Sequence, residues 1–151
     1  DFWSTELALD IVELKEEVAH LIAVRPDVPA FLQAVRASGR RVVMVTNAHS
    51  KSLSLKIRET RIDAYFDALI SSHQVGLAKE HLDFWDGLQA FEPFDPSHTL
   101  LVDDSLPVLH SARSYGIAHL LAVSNPDLTQ PNKDCGDFAT ISSFAQVMPS
   151  C

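Results

Sequence analysis

Three short apolar runs, each ending in polar residues at a point where the pattern changes, constrain this chain most. Val42-Val43-Met44-Val45 ends in Thr46-Asn47, Ala68-Leu69-Ile70 ends in Ser71-Ser72, and Leu100-Leu101-Val102 ends in Asp103-Asp104. A run with no polar alternation is apolar on both faces, as in a parallel sheet covered from both sides. Helical patterns separate the runs. One follows Pro29, with Phe31, Leu32 and Val35 on its buried side, Asp27 or Val28 near its cap and Gly39 as its C′ residue. A polar amphipathic one spans 50–61, a third runs from His81 to Phe91, and a fourth starts at a Ser105 cap, carries Pro107 in its first turn and ends at Gly116. Residues 117–123 form a fourth strand, 125–136 have turn composition, and a last short helix starts near Ser142. Alternating strands and helices predict an α/β fold: a Rossmann-like core with a parallel sheet and helices on both faces.

In such sheets ligands bind beyond the carboxyl ends of the strands, so the residues just after each strand matter most. Asp103 and Asp104 head that set. Two neighbouring carboxylates suit a hard cation such as Mg²⁺, which takes oxygen ligands. They equally suit a helix N-terminus, where capping and the dipole favour acids. Thr46, with a hydroxyl and a free backbone N–H behind it, can bind a phosphoryl oxygen or simply end a strand. Lys79, in Gly76-Leu77-Ala78-Lys79-Glu80, brings a compact positive charge on a loop, or is a solvated surface lysine. Asn47 and His49 are weaker candidates. Lys51, Lys56 and Arg58 read as the solvated face of a helix.

Composition removes some functions. Of 151 residues, 46% are hydrophobic and 21% charged, enough for one domain with a core of its own. The formal net charge of −8 disfavours a phosphate backbone, so nucleic-acid binding is not expected. No apolar stretch has the length of a membrane span, and the acidic start does not read as a signal peptide, so a cytoplasmic protein is expected. Cys135 and Cys151 have neither metal-ligand spacing nor a disulfide framework.

Taken together, a strand ending in Thr46-Asn47, a loop lysine at Lys79 and a strand ending in Asp103-Asp104 form an ordered series. It resembles motifs two, three and four of the haloacid dehalogenase (HAD) superfamily of phosphohydrolases, from about residue 26 to about residue 125. Thr46-Asn47-Ala48-His49 and Val123-Ser124-Asn125-Pro126-Asp127 resemble the GMP/IMP 5′-nucleotidase branch. The resemblance implies a HAD-like core over 25–151 and the end of a helical cap over 1–24. It implies that Thr46 binds the transferring phosphoryl group with help from the Asn47 backbone. Lys79 would balance the charge of phosphate and carboxylates. Asp103 would hold Mg²⁺ directly, and Asp104 through water or as a second ligand. The partner implied is a small phosphorylated substrate.

One part of the resemblance is missing. The superfamily's first motif, Asp-x-Asp-x-(Thr/Val) at the end of the first, central strand, supplies the nucleophile and the general acid/base. No aspartate of this sequence stands in that pattern, Asp1, Asp10, Asp27 and Asp63 included. The expectation is a C-terminal portion whose sheet lacks its central strand. An N-terminal segment or another chain would complete it, and the portion alone would be inactive. A non-catalytic phosphate- and metal-binding module is the alternative. A receiver-like signalling domain is disfavoured, because receivers place the acidic pair before Thr and Lys.

Overall fold

The computed structural model describes residues 22–149. The helical reading of 4–23 lies almost wholly outside them, as does Cys151, and residues 22–24 are not helical. The order of elements is α1 (Val28–Ala37), β1 (Val43–Thr46), α2 (Ser50–Thr60), β2 (Ala68–Ser71), α3 (Ser72–Val75), α4 (Asp83–Phe91), β3 (Leu100–Asp103), α5 (Leu106–Tyr115), β4 (His119–Val123) and β5 (Ala139–Ile141). Short 3-10 turns lie at Ile62–Tyr65, Pro96–His98 and Phe144–Val147.

Among the described residues all strand pairs are parallel, in two separate sheets. β1 pairs with β2, with Met44 beside Leu69 and Thr46 beside Ser71. β3 pairs with β4 and β4 with β5, with Asp103 beside Ala122 and Val123 beside Ile141. Among the described residues β1 and β3 therefore each have a hydrogen-bonded neighbour on one side only. Their side chains are apolar on both faces, yet all four β1 residues are only half-buried and Leu100 is 51% exposed.

What joins the two sheets is a shared apolar cluster. Val43, Val45 and Ile70 of the first sheet and Leu101 and Leu120 of the second pack on Phe84, Trp85 and Leu88 of α4 and Val108 and Ala112 of α5. Phe84 and Trp85 are fully buried, and the indole Nε1–H of Trp85 donates to Ser111 Oγ at 2.9 Å, which satisfies its polar end. Val42, of opposite parity to Val43 and Val45, packs with Phe31 and Leu32 of α1 in a second cluster. α4 lies close on α3 because Gly87 has no side chain: a Cβ there would meet Val75 Cγ1 at 2.6 Å.

Sequence patterns placed the elements within a few residues but misread several details. β5 was not expected. Ala139-Thr140-Ile141 is three residues long and becomes a strand because β4 offers an edge. Ser105 occupies the N-cap position of α5 but makes no side-chain cap bond; instead Asp103 Oδ1 accepts from Ser105 N–H at 2.9 Å. Asp27 likewise stands at the N-cap of α1 without capping it. Its carboxylate accepts from Ser143 Oγ at 2.8 Å and Phe144 N–H at 2.7 Å. Next to it, Arg25 donates to the carbonyls of Asn125 and Ser142. Arg25 and Asp27 thus tie the entry of the core to its C-terminal segment. The short helix expected near Ser142 is the 3-10 turn Phe144–Val147, closed by a capping box between Ser143 and Gln146.

Candidate active site

The carboxyl end of β1 is a tightly built turn. Thr46 Oγ1 accepts from Ala48 N–H at 3.0 Å, and Ser71 Oγ at the end of β2 donates to Ala48 C=O at 2.9 Å. The hydroxyl of Thr46 thereby has a fixed direction and still has its proton to give. Asn47, the next residue, reaches across to the loop after α3. Its Oδ1 accepts from Lys79 N–H at 3.1 Å, and its Nδ2 donates to the two carboxylate oxygens of Glu80 at 3.1 and 2.9 Å.

That loop begins at Gly76, whose φ of +88° ends α3 in a left-handed conformation that favours glycine. It delivers Lys79, which is 9% exposed, to the end of β3. Lys79 Nζ donates to Asp103 Oδ2 at 2.6 Å. The pair spans the two sheets at their carboxyl ends, and among the described residues no strand pairing links β1–β2 to β3. Asp103 is then fully engaged: one oxygen on Lys79, the other on Ser105 N–H. Its side chain is 8% exposed, so the charge is compensated by a cation and a helix N-terminus rather than by bulk water.

Asp104 is placed differently. Its side chain is 54% exposed, and its partner is Lys133, whose Nζ contacts Asp104 Oδ2 at 3.2 Å and also donates to the Asp104 carbonyl. Sequence patterns did not single out Lys133, because it lies in the segment read only as turns. The signal available was position: 124–133 follows the carboxyl end of a parallel strand. The segment is an Ω-like loop closed at its neck by Lys133 N–H donating to Ser124 C=O at 2.8 Å. Asn125 Nδ2 crosses it to Gln130 C=O and Asn132 Oδ1, and Asp127 makes an Asx turn with Thr129.

Of the six singled-out residues, Asn47, Lys79 and Asp103 form one set connected by hydrogen bonds, with Asp104 adjoining in sequence. Thr46 sits at its edge. His49 is not part of it; it caps α2 by accepting from Lys51 N–H at 3.3 Å, and its ring stands edge-on to His73 at 5.0 Å. Lys51, Lys56 and Arg58 are exposed, as expected of a solvated helix face. Cys135 is a buried free thiol among Leu109, Ala122 and Phe138. Among the described residues no three His, Cys, Asp or Glu side chains converge. The hard-oxygen donors at the end of β3 fit Mg²⁺, which binds through one or two carboxylates and takes its remaining ligands from water and phosphate. No helix among the described residues is long and apolar enough to cross a membrane.

Comparison with known proteins agrees with this arrangement. Residues 4–116 match the haloacid dehalogenase-like hydrolase family. The chain is 33% identical over 150 residues to the GMP/IMP nucleotidase YrfG of Escherichia coli (strain K12), an alignment covering 99% of this chain and 68% of that one. It is 28% identical over 109 residues to the pyrimidine 5′-nucleotidase YjjG of the same organism, covering 68% of this chain and 48% of the relative. Its fold matches a HAD phosphatase from Thermococcus onnurineus with a TM-score of 0.75 at 24% identity, over 97% of this chain and 67% of that one. With its lysine–aspartate bridge between parallel sheets and its likeness to YrfG over nearly its whole length, the chain belongs to the haloacid dehalogenase-like hydrolases, on the side of their nucleotidases.

Proposed function

We propose that the protein is a Mg²⁺-dependent phosphohydrolase of small phosphorylated metabolites, with purine nucleoside 5′-monophosphates as the substrate class. The observation that carries this reading is the hydrogen-bonded connection of Asn47, Lys79 and Asp103 at the carboxyl ends of β1 and β3, with Thr46 beside Asn47 in sequence. Phosphoryl transfer asks mainly for positioning and charge stabilisation, and these residues supply both. The Thr46 hydroxyl and the Asn47 backbone N–H bind oxygens of the transferring group. Lys79 places a positive charge between that group and Asp103. Asp103 would hold the cation directly, and Asp104, half in solvent and with one oxygen facing Lys133, would act on it through water or as a second ligand. When bound, Mg²⁺ withdraws charge from the phosphoryl oxygens and fixes their orientation.

The nucleophile is proposed to come from a strand lying between β1 and β3, which would complete one continuous parallel sheet and pair their free edges. That strand would carry the carboxylate that becomes the aspartyl phosphate, and without it these 151 residues would turn over no phosphate ester. One observation favours a second reading, a module that binds phosphate and cation without chemistry: no aspartate in the sequence stands in the nucleophile's motif.

The test is hydrolysis of GMP and IMP by the intact protein, with and without Mg²⁺, in parent and Asp104→Asn forms. Mg²⁺-dependent turnover that falls more than about 100-fold in the variant is expected, given what one charge-stabilising group contributes. Turnover with unchanged Mg²⁺ dependence in Asp104→Asn would show that the acidic pair is only a helix terminus. Phosphate binding without any turnover would establish the second reading.

A further inference from the structure

Asn47 carries more than a backbone donor. We propose that its side-chain amide is a two-sided clip that positions Lys79, resting on the phosphohydrolase reading only for what Lys79 then does. The loop from Gly76 to Leu82 has no strand or α-helix to hold it, and the backbone N–H of Lys79 is met by a side chain, Asn47 Oδ1 at 3.1 Å. The other end of the same amide donates to both oxygens of Glu80, at 3.1 and 2.9 Å. An amide is required at this place because it presents an acceptor and a donor about 2 Å apart on one rigid plane. The acceptor fixes the main chain of Lys79. The donor holds the carboxylate of its neighbour.

The second contact matters as much as the first. Glu80 follows Lys79 directly and is the anion placed to compete with Asp103 for the Lys79 ammonium. With its carboxylate on Asn47, Lys79 Nζ stays on Asp103 at 2.6 Å. Both polar ends of the Asn47 side chain are thereby committed, so the residue offers a phosphate its backbone N–H and not its amide. Asn47 is a positioning residue that acts through Lys79, and the resemblance by itself gave it only a backbone role.

The clip is tested by amide hydrogen exchange on the intact protein, read at Lys79, with Val45 and Ile70 in the β1–β2 ladder as controls. Asn47→Ala removes both contacts and is expected to speed Lys79 exchange at least tenfold while the controls stay within twofold. Asn47→Asp keeps an acceptor for Lys79 N–H but turns an anion toward Glu80, and exchange at Lys79 rises again. Adding Glu80→Gln to Asn47→Asp returns a donor from the opposite side, and the Lys79 rate is expected to come back to within threefold of the parent. An unchanged Lys79 rate in Asn47→Ala overturns the proposal. So does a double variant that exchanges as fast as Asn47→Asp alone, since a residue needed only for general packing would not be rescued by a charge swap on its partner. The exchange pattern is independent of turnover: if it holds and no phosphate ester is cleaved, the clip stands and the phosphohydrolase reading falls.

Discussion

Asp103 and Asp104 are consecutive, lie at the end of the same strand and each meet a lysine, yet the two pairs are physically opposite. The side chains of Lys79 and Asp103 are 11% and 8% exposed and 2.6 Å apart; those of Lys133 and Asp104 are 41% and 54% exposed and 3.2 Å apart. The first pair has given up water and depends on its geometry, because a buried charge that loses its partner is left uncompensated. The second remains in solvent, where an ion pair contributes little and is easily exchanged for another cation. The lesson is a division of labour. The inner pair bridges the two sheets at the site, and the outer acid keeps its contact with solvent.

The largest effect expected from that contrast is on Lys79. Lys79→Met keeps most of the side-chain volume and removes the charge, leaving Asp103 buried without its cation. Destabilisation of about 3 kcal/mol is expected by denaturant unfolding, at the lower end of the cost of breaking a buried pair. Adding Asp103→Asn to Lys79→Met should recover at least half of it, since the remaining group is then neutral. A loss below about 0.5 kcal/mol in the single variant, the range of surface substitutions, would break the comparison by making the inner pair behave like the outer one.

Sequence patterns reached the strand-end residues of this site more easily than the contacts between them. The strands ending at Thr46 and Asp103 were legible because a short run that is apolar on both faces, set between helical patterns, buries both faces only inside a covered parallel sheet. The carboxyl-end rule then pointed to Thr46, Asn47, Asp103 and Asp104, and the glycine-containing loop to Lys79. What was not legible depends on contacts between residues far apart. β5 exists because β4 has an edge to pair, which three residues of ordinary composition cannot announce. Asn47 holds Lys79 and Glu80 over 32 and 33 residues of separation, and no local pattern encodes that. Lys133 lay in a stretch whose turn residues spelled out its loop and concealed its target. The capping rule placed Ser105 at the N-cap of α5, where it stands, but not the missing side-chain cap bond nor the bond from its own N–H to Asp103, whose other oxygen is committed to Lys79.

A pair of intermediate burial sharpens the comparison. Arg41, just before β1, forms a two-pronged contact with Glu92 at the end of α4, with Nη2 donating to Oε2 at 2.9 Å; the side chains are 58% and 12% exposed. The hydrogen bonds from Arg41 hold the Glu92 carboxyl below its ordinary value of 4.5, against the opposing effect of its burial. A depressed folded-state pKa means that the carboxylate's contribution is complete above about pH 4.5 and is lost as pH falls through the lower folded value. Glu92→Gln should therefore lower stability at neutral pH and flatten the loss on acidification below pH 4.5. Asp95, exposed and bonded first to Ser97 and then to His98, is held at about 2, so its own contribution disappears at still lower pH and should leave the two curves parallel there. Equal slopes for parent and Glu92→Gln below pH 4.5 would show that Arg41 and Glu92 form a surface contact without consequence for folding.

The smallest effect belongs to the outer pair and bears on what that pair is for. Lys133→Ala should change unfolding free energy by no more than about 0.5 kcal/mol, because both partners are largely in water. Its effect on cation binding should be of similar size but opposite in direction. Lys133 shares the Asp104 carboxylate with any divalent ion that binds there, so removing its ammonium removes a like charge from the ion's immediate surroundings. Mg²⁺ titrated calorimetrically against the variant should bind about threefold more tightly than against the parent at low ionic strength. In 1 M salt, where screening acts within about 3 Å, the difference should vanish. Weaker Mg²⁺ binding in Lys133→Ala would mean that the ammonium orients Asp104 for the ion. The outer lysine would then serve its acid as Lys79 serves Asp103, and burial alone would not separate the two pairs.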